Sequence, residues 1–191
     1  MFKKIAFALM LGLASAGAQA ETFDLNISSD AVRAALSGPL RFGETNGARY
    51  DVGYLYTDDQ DARLNVGHLG LMVSGDAGAR SANVDVGIGL RAAAIDQRGA
   101  DGGAVSVGGE FDVRLPALNR LGLVGYVFYA PEVLAFGDID TYLDAALTID
   151  YEIIRNASVY AGYRQVRAGV DKASGSDLRD NSPIVGLRLQ F

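Results

Sequence analysis

The chain has 191 residues, enough for one domain, and 24 of them are glycine, about twice the usual share. It contains no cysteine, which excludes disulfides, cysteine–zinc sites and thiol catalysis. Only four prolines occur and glycine follows no triplet period, so collagen and proline-rich disorder are excluded as well.

The first twenty residues have the pattern of a secretory signal peptide. Lys3 and Lys4 precede an apolar run from Ile5 to about Ala16 that is too short to span a membrane, and residues 18–20 fit the small-x-small cleavage rule. We expect cleavage after Ala20. Removing the two lysines from the 17 basic residues leaves 15 against 23 acidic residues, a formal charge of −8. An exported, acidic protein is a poor partner for nucleic acid.

After residue 20 the apolar residues recur with a period of two, which is typical of strands with one apolar face. Leu64 to Val73 departs from this pattern and changes phase near Gly67-His68, which predicts a β-bulge. Most of the predicted strands reach the roughly 9–11 residues that a tilted strand needs to cross a bilayer. Eight strands are predicted, at 49–57, 62–73, 82–94, 103–115, 120–130, 139–154, 158–168 and 183–191.

The connections between the predicted strands differ in length. Those at 116–119 and 155–157 are short, whereas those at 131–138 and 170–182 are long. Short turns on one rim and long loops on the other are typical of an outer-membrane barrel. We therefore predict an all-β fold, a transmembrane antiparallel up-and-down β-barrel formed by residues 48–191.

The segment 21–47 has several interpretations. Phe23, Leu25 and Ile27 alternate as in a strand, whereas Asp30 could cap a short helix over residues 31–36. The segment is an extra strand, a hairpin or a periplasmic extension. Because bacterial barrels have even strand numbers, we expect eight strands, or ten if the segment is a hairpin.

The faces opposite the apolar ones are rich in charge, and in a membrane barrel they point into the lumen. A lipocalin-like soluble barrel is the alternative, and it would place these charges in water outside. The charged residues of these faces are Arg49, Asp51, Asp85, Arg91, Glu110, Asp112, Arg114, Asp144, Asp150, Glu152, Arg164 and Arg188. We predict a lumen charge network of Arg49, Arg91, Glu110, Asp112, Arg114, Asp150, Glu152, Arg164 and Arg188. Within it, Arg164 and Arg188 are expected to pair with Glu110, Asp150 or Glu152.

Several sequence strings in the second half of the chain resemble one family. They are Tyr129-Ala130-Pro131-Glu132-Val133-Leu134, Val159-Tyr160-Ala161-Gly162-Tyr163-Arg164, Asp180-Asn181-Ser182 and Val185-Gly186-Leu187-Arg188-Leu189-Gln190-Phe191. Over residues 103–191 the chain is similar to the YfaZ family of predicted bacterial outer-membrane proteins. The resemblance implies an outer-membrane barrel and brings no catalytic residues with it.

Candidate catalytic residues are few. His68 is the single histidine, and Ser74 lies six residues along the same strand, roughly 20 Å away. We therefore expect His68 to lie at a bulge or at the membrane interface and to have no catalytic role. The glycine pairs at 87–89 and 102–103 precede no helix, so no nucleotide site is predicted.

Acidic residues cluster on the side of the long loops. A carboxylate cluster can hold a hard cation, but the spacing does not fit a calcium loop, so we expect a solvated acidic surface and no metal or other cofactor. These residues are Asp58, Asp59, Asp61, Asp96, Asp101, Glu132, Asp138, Asp171, Asp177 and Asp180, against Arg98, Lys172 and Arg179.

Two functions of different class fit these features. The first is a non-catalytic, monomeric outer-membrane barrel among the lipids, either structural or a narrow, gated pore. An eight-stranded barrel is only wide enough for its own side chains, which disfavours a constitutive pore. The second is an outer-membrane lipid-modifying enzyme, which needs a nucleophile and a base near the long loops.

The last strand has a further predicted role. Val185, Leu187, Leu189 and Phe191 alternate up to the final residue, which resembles the carboxyl-terminal signal that the barrel assembly machinery reads. Such a signal puts the end of the chain at the periplasmic rim. Counting back along the strands then places 116–119 and 155–157 at that rim and 170–182 outside.

Overall fold

The computed structural model describes residues 21–40, 47–58, 63–78, 82–97, 100–170 and 178–191. They form an antiparallel β-barrel, as predicted. Its strands are β1 (Thr22–Ile27), β2 (Ala31–Pro39), β3 (Ala48–Asp58), β4 (Arg63–Asp76), β5 (Asn83–Gln97), β6 (Ala100–Arg114), β7 (Leu121–Ala130), β8 (Ala135–Gly137), β9 (Ile139–Ile154), β10 (Ala157–Val170) and β11 (Leu178–Gln190). Single 3-10 turns lie at Pro116–Leu118 and Glu132–Leu134. Among the described residues no helix is long and apolar enough to cross a membrane.

Ten of these strands make the barrel wall. Each pairs with its neighbours in sequence, and β1 closes the ring by pairing with β11. The short β8 continues β7 along β6: β7 pairs with residues 107–114 of β6 and β8 with residues 102–104. The count is therefore ten, the second of the two numbers that the sequence left open. The two added strands are the hairpin of β1 and β2, so the barrel begins at Thr22 and not at residue 48.

The two ends of the barrel are named here by the chain termini. At the terminal rim, Glu21 and Phe191 exchange backbone hydrogen bonds of 2.9 and 3.0 Å, and the described connections at 115–120 and 155–156 lie at this end. The distal rim carries the described connections at 28–30 and 131–138. The short connections predicted at 116–119 and 155–157 lie at the terminal rim and the long one at 131–138 at the distal rim, as expected, whereas most of the one predicted at 170–182 lies outside the described residues. A strict division is wrong, because the three-residue connection at 28–30 lies at the distal rim.

The predicted bulge at Gly67-His68 is also wrong. The pairing of β3 with β4 runs without a break from Ala48 opposite Val73 to Asp58 opposite Arg63. What changes along β4 is the polarity of the faces. The inward residues Leu64 and Val66 give way to His68, while the outward residues become apolar only from Leu69 onward.

This inversion recurs around the barrel and divides it into two zones. In the terminal zone the outward face is apolar, with side chains such as Leu71, Ile88 and Val185 more than half exposed. Toward the distal rim the outward face gains polar residues such as Asn65 and Arg167, while Ile27, Val32 and Phe136 stay exposed, and the inward face becomes a hydrophobic core. This distal core consists of Ala31, Leu55, Leu64, Val66, Ala93, Ile95, Ala100, Ala104, Ala130, Ile139, Tyr142, Val166, Ala168 and Val170. The distal zone thus has the polarity of a soluble barrel and the terminal zone that of a membrane barrel.

Candidate functional site: the charged lumen

A central cluster of charged residues lies directly below the distal core. Arg91 of β5, 3% exposed, donates from Nη1 to Asp144 Oδ2 at 3.0 Å and from Nη2 to Asp51 Oδ2 at 2.8 Å. Its guanidinium also stacks over Phe128, with Cζ 3.8 Å from the ring centroid. One arginine therefore binds the carboxylates of β3 and β9 across the lumen, a charge-assisted arrangement that ties opposite walls together.

His68 belongs to this cluster. Its Nε2 lies 3.0 Å from Asp51 Oδ2, and the imidazole is buried in the lumen. The expected position at a bulge or at the membrane interface is therefore wrong, because β4 keeps its register and directs His68 inward. Ser74 lies farther along the same strand, hydrogen-bonded to the carbonyl of Gly47. The two residues are not brought together.

A buried tyrosine and a second arginine complete the cluster. Tyr126 of β7 donates from its hydroxyl to Asp144 Oδ1 at 3.0 Å and accepts from Arg33 Nη1 at 3.0 Å. The Cζ of Arg33 lies 5.2 Å from the Tyr126 ring centroid. Arg33 belongs to the segment 21–47, whose place in the barrel the sequence did not resolve.

Arg164 on β10 is fully buried and makes a separate pair. It donates to Asp180 Oδ2 at 2.7 Å and to Asn26 Oδ1 at 2.6 Å. The expectation that Arg164 pairs with Glu110, Asp150 or Glu152 is wrong, and so is the expectation that Asp180 is a solvated loop residue. Both errors have one cause: β11 begins at Leu178, five residues before the predicted start, and this extension turns Asp180 into the lumen.

A second cluster lies near the terminal rim around Asp150, which is fully buried. Arg188 binds Asp150 and, through Nη2, Asp24 Oδ2 at 3.1 Å. Arg114 lies 3.9 Å from the same Asp150 oxygen and binds Asp112 at 3.1 Å. Arg188 therefore pairs with Asp150, one of the carboxylates expected from the sequence. It also pairs with Asp24 of β1, which was not among them.

The other predicted members of the network are more peripheral. Arg49 Nη1 and Glu110 Oε1 form a pair at 3.1 Å near the terminal rim. Glu152 makes no ion pair with any described residue. In the described part of the chain, no group of three metal-ligating side chains is placed to hold a metal ion.

Several glycines lie directly beside large inward side chains and leave space for them. A Cβ added to Gly70 would overlap Asp51 Oδ1, and one added to Gly53 would overlap the His68 ring. A Cβ on Gly186 would meet the Tyr160 ring in the same way. Part of the glycine excess is thus explained by large inward side chains that lie over the glycine opposite them on the neighbouring strand.

Gly70 offers a direct test of this role. We expect Gly70→Ala to destabilise the barrel by about 1–3 kcal/mol, because Asp51 must move away from Arg91 and His68. Gly67→Ala on the same strand is the matched control, since its Cβ would lie 3.8 Å from the nearest side chain, Tyr54, and should cost less than about 0.5 kcal/mol. Urea unfolding of both refolded variants measures the difference; equal unfolding midpoints would contradict the assignment.

A cavity of about 280 Å³ lies in the terminal half of the lumen. It reaches from the terminal rim, at residues such as Thr22 and Gln190, down to the central cluster at Arg33, Arg91 and Tyr126. None of the distal-core residues lines it. Within the described residues the cavity therefore ends blindly below the distal core.

This chain matches one family model and is similar to several known proteins. The YfaZ precursor family model matches residues 2–191. The Outer membrane protein YfaZ of Escherichia coli K12 is 27% identical over 190 residues, which cover 99% of each chain. Among solved structures, Neisserial surface protein A is 16% identical with a TM-score of 0.35, covering 90% of this chain and 94% of that one. The translocator domain of the autotransporter NalP from Neisseria meningitidis is 14% identical with a TM-score of 0.39, covering 100% and 95%.

The family match extends well beyond residues 103–191, where the sequence resemblance is clearest, and takes in the first hairpin of the barrel. The word precursor in the family description agrees with the signal peptide expected at residues 1–20, which lie outside the described residues. Because the family model matches nearly the whole chain, the protein belongs to the YfaZ family.

Proposed function

We propose that the protein is an outer-membrane β-barrel without catalytic activity whose lumen is closed, so that it acts as a structural barrel and not as a constitutive pore. The observation that carries the proposal is the distal core. Fourteen buried apolar residues occupy the lumen at the distal end. Below them the central cluster crosses the lumen from wall to wall, so water and ions meet two successive obstacles.

The outward face supports a membrane position for the terminal zone. Bands of exposed leucine, isoleucine and valine surround that zone, whereas polar residues such as Asn65 and Arg167 take the outward positions near the distal rim. We assign the terminal rim to the periplasmic side, because the signal predicted in the last strand puts the end of the chain there. The distal zone then projects outward beyond the lipid, which accounts for its hydrophobic interior.

The lipid-modifying alternative finds less support. It needs a base that can reach an acyl chain outside the barrel, and the single histidine, His68, is buried in the lumen against Asp51. The lipocalin-like alternative requires a polar exterior along the whole barrel. Exposed side chains such as Leu69, Ile88 and Ile149 contradict that requirement in the terminal zone.

Planar-bilayer recording tests the closed lumen. We expect the refolded wild-type protein to give no steady conductance at any salt concentration, because the distal core leaves no aqueous path. The absence of native cysteine allows a clean control by thiol labelling. A cysteine replacing Ser37, which lines the cavity, should react with a small charged thiol reagent, whereas one replacing the fully buried Ala168 should not.

These two measurements can fail independently. A steady single-channel conductance of the wild-type protein would refute the closed lumen. Labelling at Ala168→Cys as fast as at Ser37→Cys would show that water reaches the distal core and would refute it as well. Heat-dependent gel mobility establishes beforehand that each preparation is a folded barrel.

A further inference from the structure

The cavity in the terminal half of the lumen has a floor and walls of different chemistry. Its mouth at the terminal rim carries exposed or half-buried polar residues, including Ser37 and Asp85. Apolar side chains such as Met72 and Phe111 form part of the wall. Its floor is the central cluster, where Arg33 and Tyr126 face the cavity.

Four arginines line this cavity, and three of them are neutralised by direct contact with carboxylates. They are Arg49, bound to Glu110, Arg91, bound to Asp51 and Asp144, and Arg188, bound to Asp24 and Asp150. In each of these pairs the guanidinium is occupied by a carboxylate of the protein.

Arg33 is the exception. Its side chain is on β2, only 8% of the residue is exposed, and within the described chain no carboxylate oxygen lies within 4.0 Å of its guanidinium. The carboxylates of Asp51 and Asp144 are held by Arg91 instead. Arg91 carries one positive charge against the two negative charges of Asp51 and Asp144, so these carboxylates balance Arg33 at longer range. Neither of them occupies the N–H donors of Arg33, which leaves those donors at the cavity floor for an oxyanion.

Tyr126 holds this guanidinium in place. Its hydroxyl proton is directed to Asp144 Oδ1, so the hydroxyl oxygen accepts from Arg33 Nη1 at 3.0 Å, and the ring lies beside the guanidinium. That bond uses one of the five N–H groups of an arginine. The orientation is thus fixed by a group that does not neutralise the charge.

We propose that the floor of this cavity binds the carboxylate or phosphate group of a small soluble molecule entering from the terminal rim, with Arg33 as its principal contact. The planar guanidinium matches such oxyanions through paired N–H donors. A cavity of about 280 Å³ has room for the oxyanion and a small apolar group against Met72 and Phe111. The inference goes beyond the closed barrel, since it assigns a ligand class to its interior.

Calorimetric titration of the refolded mature protein in detergent tests the site. The probes are inorganic phosphate and acetate, with acetamide as the uncharged analogue of acetate, all at constant ionic strength. We expect both anions to bind and acetamide not to bind. Arg33→Gln should weaken anion binding about tenfold or more, because a charge-assisted contact is lost. Arg120→Gln removes the same charge from an exposed position outside the cavity and should bind as the wild type does.

A variant that keeps the charge protects the test against misfolding. Arg33→Lys retains the cation but lacks the paired donors, so it should bind phosphate more weakly than the wild type and more tightly than Arg33→Gln. If Arg33→Gln fails to fold, the proposal is tested by whether Arg33→Lys binds phosphate more weakly than the wild type. Wild-type protein that binds neither anion, or Arg33 variants that bind as tightly as Arg120→Gln, would overturn the proposal. Because conductance plays no part here, failure of the anion site and failure of the closed lumen are separate results.

Discussion

Replacing Arg164 by alanine is expected to destabilise the barrel by about 3–5 kcal/mol, the cost of leaving one member of a buried ion pair without its partner. Arg164 is fully buried and is the cation bound to Asp180, at 2.7 Å. It also donates to Asn26 of β1, so it connects β10, β11 and the first hairpin across the seam where the barrel closes. Urea unfolding of the refolded protein in lipid vesicles measures the loss.

Two further variants identify its cause. Arg155→Ala removes an arginine from the exposed β9–β10 turn and should unfold like the wild type. The double replacement Arg164→Met with Asp180→Leu removes both charges and refills the volume, so it should be less destabilised than Arg164→Ala alone. If Arg164→Ala unfolds at the same urea concentration as Arg155→Ala, the pair does not stabilise the barrel.

The error in the partner of Arg164 shows where sequence periodicity stops being informative. The period of two located β11 correctly from Val185 onward, where β1 and β10 both pair with it. The predicted strand begins at Pro183, whose backbone has no N–H to donate to a ladder. In the structure Pro183 lies in the part of β11 that pairs only with β10, where a proline is tolerated, and the strand continues to Leu178.

The distal core was missed for a different reason. The rule that apolar faces point outward assumes the same surroundings along the whole strand. In this barrel the polarity of the two faces changes between the terminal zone and the distal zone. Val166 and Ala168 face inward and are buried, while Gln165 and Arg167 alternate with them on the outside. The inversion is visible in the sequence, as at Leu64–Val73, but there it has the same pattern as a bulge. Pairing between strands is needed to distinguish the two.

The central cluster was only partly accessible from sequence. Asp51, Arg91 and Asp144 lie on faces that the alternation marked as inward. Arg33 was not found, because β1 has only six residues and the segment around Asp30 read equally well as a capped helix. Its position became clear from the pairing of Arg33 with Asn26 on the neighbouring strand.

The second large effect is expected at the carboxyl terminus. We propose that Phe191 is read by the barrel assembly machinery, so Phe191→Ala should reduce the assembled fraction in cells severalfold. In the structure its backbone closes the terminal rim by hydrogen bonds with Glu21, and the residue is 49% exposed. Substitution keeps those backbone bonds, which deletion of the residue would remove. The lost apolar burial should be modest, at most about 2–3 kcal/mol.

Tyr151 provides the matched control, because it is an outward aromatic residue near the same rim and is 48% exposed. If Phe191 serves only the aromatic girdle, Phe191→Ala and Tyr151→Ala should lose similar, small amounts in cells and in detergent refolding. If it is also a recognition signal, only Phe191→Ala should assemble poorly in cells, while both variants refold alike in detergent. Assembly is measured by the heat-modifiable form in outer-membrane fractions, and refolding by the same gel shift after dilution from urea. The recognition role thus depends on a difference between two environments, which a purely structural contribution of one exposed ring cannot produce.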